Sequence, residues 1–392
     1  MRIISADYIF PVASSPVKNG LIVIDDDGTI KDVLEPTASI EKSNIETHKG
    51  LIVPGFVNAH CHLELSHLKG KLKEKTKLTG FVSEILSKRN HFSIDDIKSA
   101  LKAAEQEMIG NGIVAVGDIS NTNHTFEQKQ RKNLSYHTFI EVFDINPKNA
   151  QPFFDSAASL QSEFPDLKTT LVPHAPYTVS NSLMELLSRK KQDVISIHNQ
   201  ETASENEMFI SNTGELANLM IKSGADISDM KSGGNSLAST FNRLKGFDRI
   251  ILVHNTYTTK ADVDFIKSQF TDLIPNVFFC FCPNANLFIE DRLPDIPLFV
   301  HEGVKMCIGT DSYASNWSLS ILDEMKTIAK QFPSISFNTF LAWATINGAE
   351  ALGFGTQLGS IQKGKKPGLN LLTGIEYEKM LFSDDVQVTK LA

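Results

Sequence analysis

Cysteine is scarce. Four residues, Cys61, Cys280, Cys282 and Cys307, are spread over 392 positions. That is too few for a disulfide scaffold in a chain this long, so they read as free thiols in a reducing compartment. Positive charge is also short. Lys and Arg number 38 against 46 Asp and Glu, for a net charge of −8. This balance argues against nucleic acid as the main partner, because a phosphate backbone calls for a basic face. No apolar run approaches the roughly 20 residues that cross a bilayer, so no membrane partner is expected. Asp7 interrupts the first apolar patch and leaves no signal-peptide core, which makes the cytoplasm the expected location. Internal repeats and low-complexity linkers are missing as well. What remains, 41% hydrophobic and 21% charged residues, is the composition of an ordinary globular protein, long enough for two or three domains or one large α/β barrel with attachments.

Two kinds of pattern are present. Residues 1–52 hold short apolar runs, Arg2-Ile3-Ile4 and Leu21-Ile22-Val23-Ile24, with a hairpin signal at Asp26-Asp27-Gly28-Thr29. From residue 53 the pattern changes to eight apolar runs, counted from 52–58 through 113–118, 137–143, 169–173, 194–198, 250–254, 277–281 and 305–309. Helical segments lie between most of them. Ser93-Ile94-Asp95-Asp96 opens one that Gly110 and Gly112 close, and Ser180 and Thr259 open others. Strand and helix alternating eight times predicts an α/β protein built on a (β/α)8 TIM barrel over 53–352. Beyond it, 358–361, 369–372 and 386–391 read as strands. Residues 1–52 and 353–392 are expected to form one small β-sandwich from both chain ends. Residues 63–80 and 222–248 read as long connections of the kind that form lids or substrate contacts.

Barrel chemistry collects where strands end. In order, those ends carry His60-Cys61-His62, Asp118, Glu141, His174, His198-Asn199-Gln200-Glu201, His254-Asn255, Cys280-Phe281-Cys282-Pro283-Asn284 and Gly309-Thr310-Asp311-Ser312. Strand side chains alternate faces, so His60 and His62 would share one face and Cys61 the other. Two imidazoles on one face are half of a tetrahedral metal site.

These motifs, with Pro54-Gly55-Phe56-Val57-Asn58-Ala59, Pro173-His174-Ala175-Pro176-Tyr177 and Cys282-Pro283-Asn284-Ala285-Asn286, resemble the amidohydrolase superfamily along the whole chain, and within it the deaminase and chlorohydrolase-like branch. The resemblance implies one divalent metal held by His60, His62, His198 and Asp311, zinc as first choice, with iron(II) or manganese(II) as alternatives. It implies a metal-activated hydroxide as nucleophile, Glu201 as proton shuttle to a ring nitrogen, His254 orienting the water, and Asp311 both ligating and accepting a proton. Strand 4 ends in His174 where binuclear relatives carry a bridging lysine, which favours one metal and turns His174 to the substrate. Glu141, Glu64 and Ser312 are further candidate substrate contacts.

The stretch Leu63-Glu64-Leu65-Ser66 after the histidine pair is similar to that of aminodeoxyfutalosine deaminases of the alternative menaquinone route. It implies a small-molecule substrate of the amino-purine type, 6-amino-6-deoxyfutalosine first. Adenosine, methylthioadenosine or guanine-type substrates, or hydrolysis of a cyclic carbon–nitrogen bond in a lactam or imidazolone, are the alternatives. A metal-binding barrel without catalysis is the reading from another class. A thiolate site at Cys280 and Cys282 is disfavoured because other ligands already complete a set. The His-x-Glu with Pro-Cys-x-x-Cys pattern of zinc nucleobase deaminases is absent. Gly359 to Lys365 mimics a phosphate loop, but Lys366-Pro367-Gly368 follows where a helix should begin, so it reads as a turn. The sequence leaves a homo-oligomer open.

Overall fold

Eight short runs, apolar along most of their length, have nowhere to go but the interior, and they form parallel strands: β1 Phe56–Cys61, β2 Ile113–Ser120, β3 Ser135–Val142, β4 Lys168–Pro173, β5 Val194–Asn199, β6 Arg249–His254, β7 Val277–Phe281 and β8 Lys305–Ile308. The computed structural model describes residues 1–36, 45–190, 192–230, 234–270, 276–375, 382 and 384–392. The strands make two four-stranded parallel sheets, ordered β4-β3-β2-β1 and β5-β6-β7-β8. Near-continuous burial along them is what helices covering both faces produce. The sheets meet at two places. The His198 N–H donates to the His174 carbonyl at 2.9 Å, and the Thr310 and Asp311 N–H groups donate to the His60 carbonyl at 3.0 Å. A mixed α/β fold with parallel sheets is present, and a (β/α)8 barrel is consistent with it.

Helices follow from capping and spacing. Helix α1 spans Lys77–Lys88 and α2 spans Ile94–Gly110. In α2 the Asp96 N–H donates to Ser93 Oγ at 3.1 Å, while the Ser93 N–H donates to Asp96 Oδ2 at 3.3 Å. This reciprocal cap satisfies two donors that a helix start leaves open. Ile97, Leu101, Ala104 and Met108 recur every three to four residues and are buried, so truncating Leu101 to Ala would cost about 2–5 kcal/mol.

Two smaller sheets come from the chain ends. One orders Ile30–Leu34, Leu21–Ile24, Arg2–Ser5 and Ile45–Thr47. The other orders Gln387–Lys390, Leu369–Thr373, Leu51–Pro54, Tyr8–Ile9 and Val17–Lys18. Leu369–Thr373 runs antiparallel to Leu51–Pro54. Ile4, Ile22 and Ile24 of the first sheet and Ile9, Ile52 and Leu369 of the second share one apolar cluster.

Three expectations change. The run at 52–58 is not one strand. It breaks at Gly55, whose N–H donates to the Pro367 carbonyl at 3.1 Å and where a Cβ would overlap Val114 and reach the Pro367 oxygen at 2.7 Å. The chain therefore leaves the small sheet at Pro54 and enters β1 at Phe56. Residues 358–361 are not a strand. They form turns anchored by the Gln357 and Leu358 N–H groups on the Phe354 carbonyl, both 2.9 Å, and Gly359 has φ +87°. The connections are also more ordered than loops. Leu63–Leu68 is a 3-10 helix, and Ser236–Thr240 is helical within 222–248; residues 231–233 of that connection lie outside the described ones.

Candidate active site

Strand β1 delivers His60, and the first residue beyond it delivers His62. The two Nε2 atoms lie 3.1 Å apart, and His62 Nε2 is 3.3 Å from His198 Nε2 at the end of β5. Asp311, just past β8, places Oδ1 at 3.6 Å from His60 Nε2 and 3.4 Å from His62 Nε2. Gly309 makes that approach feasible, because a Cβ there would meet the His60 Cβ and carbonyl oxygen at 2.8 Å. All four residues are buried.

These contacts do not close as ordinary hydrogen bonds. The Nδ1 of His198 lies 2.7 Å from the His174 carbonyl and must donate to it, so in the neutral ring Nε2 turns a lone pair toward His62. Burial pushes His62 down to about 3 and His198 well below its ordinary value, so both rings are neutral. Burial works against a charge on Asp311, yet the His60 contact and the neighbouring histidines outweigh it and keep the carboxyl well below its usual range. The other oxygen, Oδ2, accepts from Ser315 Oγ at 2.5 Å. Lone pairs converging with one carboxylate call for a shared cation. A tetrahedron with bonds of roughly 2.0–2.1 Å has edges of about 3.3–3.4 Å, close to the 3.1–3.6 Å found between these donor atoms. The residues fit one divalent metal. His254 belongs to an overlapping set with His60, His198 and Asp311, their donor atoms all within 4.8 Å of one another.

Glu201 follows β5, and its Oε1 lies 3.7 Å from His254 Nε2. Burial first, then the charge of Asp311, raises its carboxyl well above the usual value. Burial lowers His254 to about 4. Four residues here have left-handed backbones, Gln200 (φ 46°), His254 (φ 74°), Asn255 (φ 56°) and Asp311 (φ 55°). Such conformations cost of order 1–3 kcal/mol each and persist only where surroundings enforce them. Asn255 does so at β6: its amide donates to the Leu252 and Cys280 carbonyls at 2.8 and 3.2 Å, and its Oδ1 accepts from Asn199 at 3.0 Å.

A cavity of about 590 Å³ opens onto this cluster, a size typical of small-molecule sites. His62, His198, Glu201, His254 and Asp311 line it, and so do His174, Glu141 and Ser312. Glu141 accepts from Asn121 Nδ2 at 3.1 Å and is raised by burial to about 7. Burial, then His60, lowers His174 to about 4. Ser312 Oγ sits 3.0 Å from Ser315 Oγ.

Glu64 departs from expectation. It does not line the cavity. Its Oε2 accepts from the Asn121 and Thr122 N–H groups and from Thr122 Oγ1, at 3.0, 3.1 and 2.9 Å. The side chain pins the loop after β2 by supplying an acceptor to its partly buried backbone donors. Asp118 does related work: Oδ1 accepts the Leu63 N–H at 2.7 Å, and Oδ2 pairs with the buried Lys129 at 2.6 Å.

Other residues of the site were not singled out from sequence. Leu78, Phe81, Val82 and Ile85 of α1 and Leu216, Leu219 and Met220 of the helix Glu215–Lys222 give the cavity an apolar side. Their helical spacing looks the same in a helix packed on a core. Glu205 receives the Gln200 and Glu201 N–H groups at 3.0 and 3.1 Å and so fixes the backbone that carries Glu201. The Thr202-x-x-Glu205 pattern of a helix start is the signal that could have found it.

Comparison with known proteins follows this geometry. The amidohydrolase family model matches residues 51–390. The 5-methylthioadenosine/S-adenosylhomocysteine deaminase of Saccharophagus degradans is 24% identical over 93% of this chain and 81% of its own length. The crystal structure of Helicobacter pylori aminofutalosine deaminase in complex with methylthio-coformycin superposes with a TM-score of 0.81 at 22% identity, covering 98% of this chain and 94% of that one. An adenosine deaminase from Xanthomonas campestris with bound zinc gives a TM-score of 0.75 at 21% identity over 97% of this chain and 88% of its own. At these identities the two structural likenesses establish the fold.

Proposed function

The chain belongs to the amidohydrolase family and is a hydrolase acting on carbon–nitrogen bonds; on that premise we propose that it hydrolytically removes the 6-amino group of an adenine-type nucleoside. The observation that carries this reading is the convergence of His60, His62, His198, Asp311 and Glu201 at one cavity of about 590 Å³. The first four are proposed as ligands of one divalent metal, zinc first. When bound, such a cation supplies acidification of water near neutral pH. Two half-sheets joined by backbone hydrogen bonds at His60 and His198 support a closed (β/α)8 barrel over 53–352. The shared apolar cluster supports a β-sandwich of 1–52 and 353–392.

The chain's own groups then divide the work. Glu201 is the proton carrier: burial raises its proton affinity, so it can deliver a proton to a purine ring nitrogen and take one from the attacking water, a role worth about 10²–10⁴ in rate. Asp311 stays ionised and can accept a proton through Oδ1, because Ser315 occupies Oδ2. His254 holds its ring between Glu201 and Asn286, with Asn286 Nδ2 at 3.4 Å from Nδ1, which suits it to orient water. Glu141, His174 and Ser312 are proposed as substrate contacts from their place on the wall.

Among adenine-type nucleosides, 6-amino-6-deoxyfutalosine is the first proposed substrate, supported by Leu63-Glu64-Leu65-Ser66 and the likeness to the H. pylori enzyme. Methylthioadenosine is the second, supported by the S. degradans relative. The test is ammonia release by the zinc-loaded enzyme from a panel of amino-purine nucleosides, amino-pterins and lactams. Turnover of 6-aminopurine nucleosides is expected. Lactam opening with no amino-purine turnover would replace this reading.

A further inference from the structure

Two of the metal-site histidines are held by more than their strands. The His60 carbonyl accepts from Thr310 and Asp311, and the His198 ring is tied to the His174 carbonyl. His62 is held differently. Strand β1 ends at Cys61, so His62 stands beyond the sheet ladder. The ladder is also irregular there. Asn58 faces Val116 and Cys61 faces Asp118, three steps on β1 against two on β2. An extra residue of this kind re-aims neighbouring side chains and loosens the pairing. Gly117 permits it, because a Cβ there would meet the Ala59 carbonyl oxygen at 2.5 Å.

What fixes His62 is the peptide plane that follows it. Its carbonyl accepts the Leu65 N–H at 3.1 Å, and the Leu63 N–H of the same plane donates to Asp118 Oδ1 at 2.7 Å. Asp118 is in turn held by Lys129 of the short helix Phe126–Gln130. Lys129 Nζ lies 2.6 Å from Asp118 Oδ2 and 3.0 Å from Ser120 Oγ, and both side chains of the ion pair are fully buried. The Tyr136 and Phe164 rings flank the cation, their centroids 5.4 and 5.5 Å from Nζ. Neither Asp118 nor Lys129 lines the cavity, so the pair does not meet substrate. A buried ion pair is often no more stabilising than an apolar pair of similar volume. By occupying Oδ2, this one directs Oδ1 at Leu63.

We propose that Asp118, oriented by Lys129, is a positioning residue for His62 and sets the affinity of the metal site through the Leu63 N–H. The assignment rests on the reading of His62 as a metal ligand.

Removing one member of the pair would strand a buried charge, so the test compares two neutral double variants. Asp118→Asn with Lys129→Met keeps an acceptor for Leu63; Asp118→Leu with Lys129→Met does not. Zinc affinity of the full chain is measured by competition with a chromophoric chelator, and the cobalt(II)-substituted chain is read by its visible absorption. The leucine pair should bind zinc about 10- to 100-fold more weakly than wild type, the loss typical of groups that orient a metal ligand, with altered cobalt bands. The asparagine pair should recover most of the affinity and the wild-type bands. Glu105→Ala is the control for damage to the same buried layer. Glu105 accepts from Asn133 Nδ2 and Tyr136 Oη, both at 2.9 Å, so its loss should lower stability to urea and leave zinc affinity unchanged. Equal zinc affinities in the two double variants, or a loss in Glu105→Ala as large as in the leucine pair, would overturn the assignment. Nitrogen-15 NMR of labelled histidines in the metal-free chain separates the two proposals. The His62 ring resonances should move in the leucine pair and stay near their wild-type positions in the asparagine pair. If wild type binds no zinc but His62 moves in this way, the four-ligand reading falls and the positioning assignment stands. If His62 does not move, the assignment falls whatever the zinc affinity.

Discussion

Glu64 offers a sharp test of how the site is built, because the same carboxyl could serve a substrate or a loop. The structure ties it to Asn121 and Thr122 and keeps it out of the cavity. Burial, opposed by those hydrogen bonds, raises it from 4.5 to about 7. The folded chain therefore binds this proton more tightly than the unfolded chain. The associated stability is complete below pH 4.5, declines as pH rises toward 7, and is flat beyond. At roughly 1.4 kcal/mol per pH unit, the decline amounts to about 3 kcal/mol. Glu64→Gln keeps an acceptor for the loop and removes the titration. Urea unfolding of metal-loaded wild type and Glu64→Gln across this window should show the wild type losing about 3 kcal/mol relative to the variant. KM for an adenine nucleoside should stay nearly constant. A stability difference that does not move with pH would show that the three donors outweigh burial and that Glu64 is an ordinary ionised carboxylate. A large rise in KM without a stability change would return Glu64 to the substrate.

Three further outcomes are expected. Glu201→Gln should lower kcat by about 10²–10⁴ with metal content by elemental analysis unchanged; undiminished ammonia release would remove Glu201 from proton transfer. Asp311→Asn and His198→Ala should each lower metal stoichiometry after dialysis, whereas Glu141→Gln should not; full occupancy in both ligand variants would disprove the four-ligand set. Glu205→Ala leaves the Gln200 and Glu201 N–H groups without their acceptor, at a cost of about 1–3 kcal/mol, and should lower kcat more than it raises KM, while Glu205→Gln should recover much of that loss.

The parallel strands were legible because each is a short apolar run closed by polar residues, and those closing residues are the site. His60, His198, His254 and Asp311 stand at strand ends spread over some 250 positions of sequence, and only the order of strands brings them together. Three features were hidden for physical reasons. The break at Gly55 depends on Val114 and Pro367, distant in sequence, approaching too closely for a side chain. The turn at 358–361 has strand-like composition, but its backbone is bound by the Phe354 carbonyl. Glu64 was misplaced because direction decides its role: its carboxyl faces a loop that needs an acceptor. Sequence spacing does not carry that direction through the short 3-10 helix Leu63–Leu68.

Hydrolytic deamination is tested most directly by the fate of water. Zinc-loaded enzyme, an adenine-type nucleoside and oxygen-18 water should give one ammonia per nucleoside and a 6-oxopurine carrying the label on its ring carbon, read by mass spectrometry. An unlabelled product, a ring-opened product, or no ammonia from any 6-aminopurine nucleoside would contradict it.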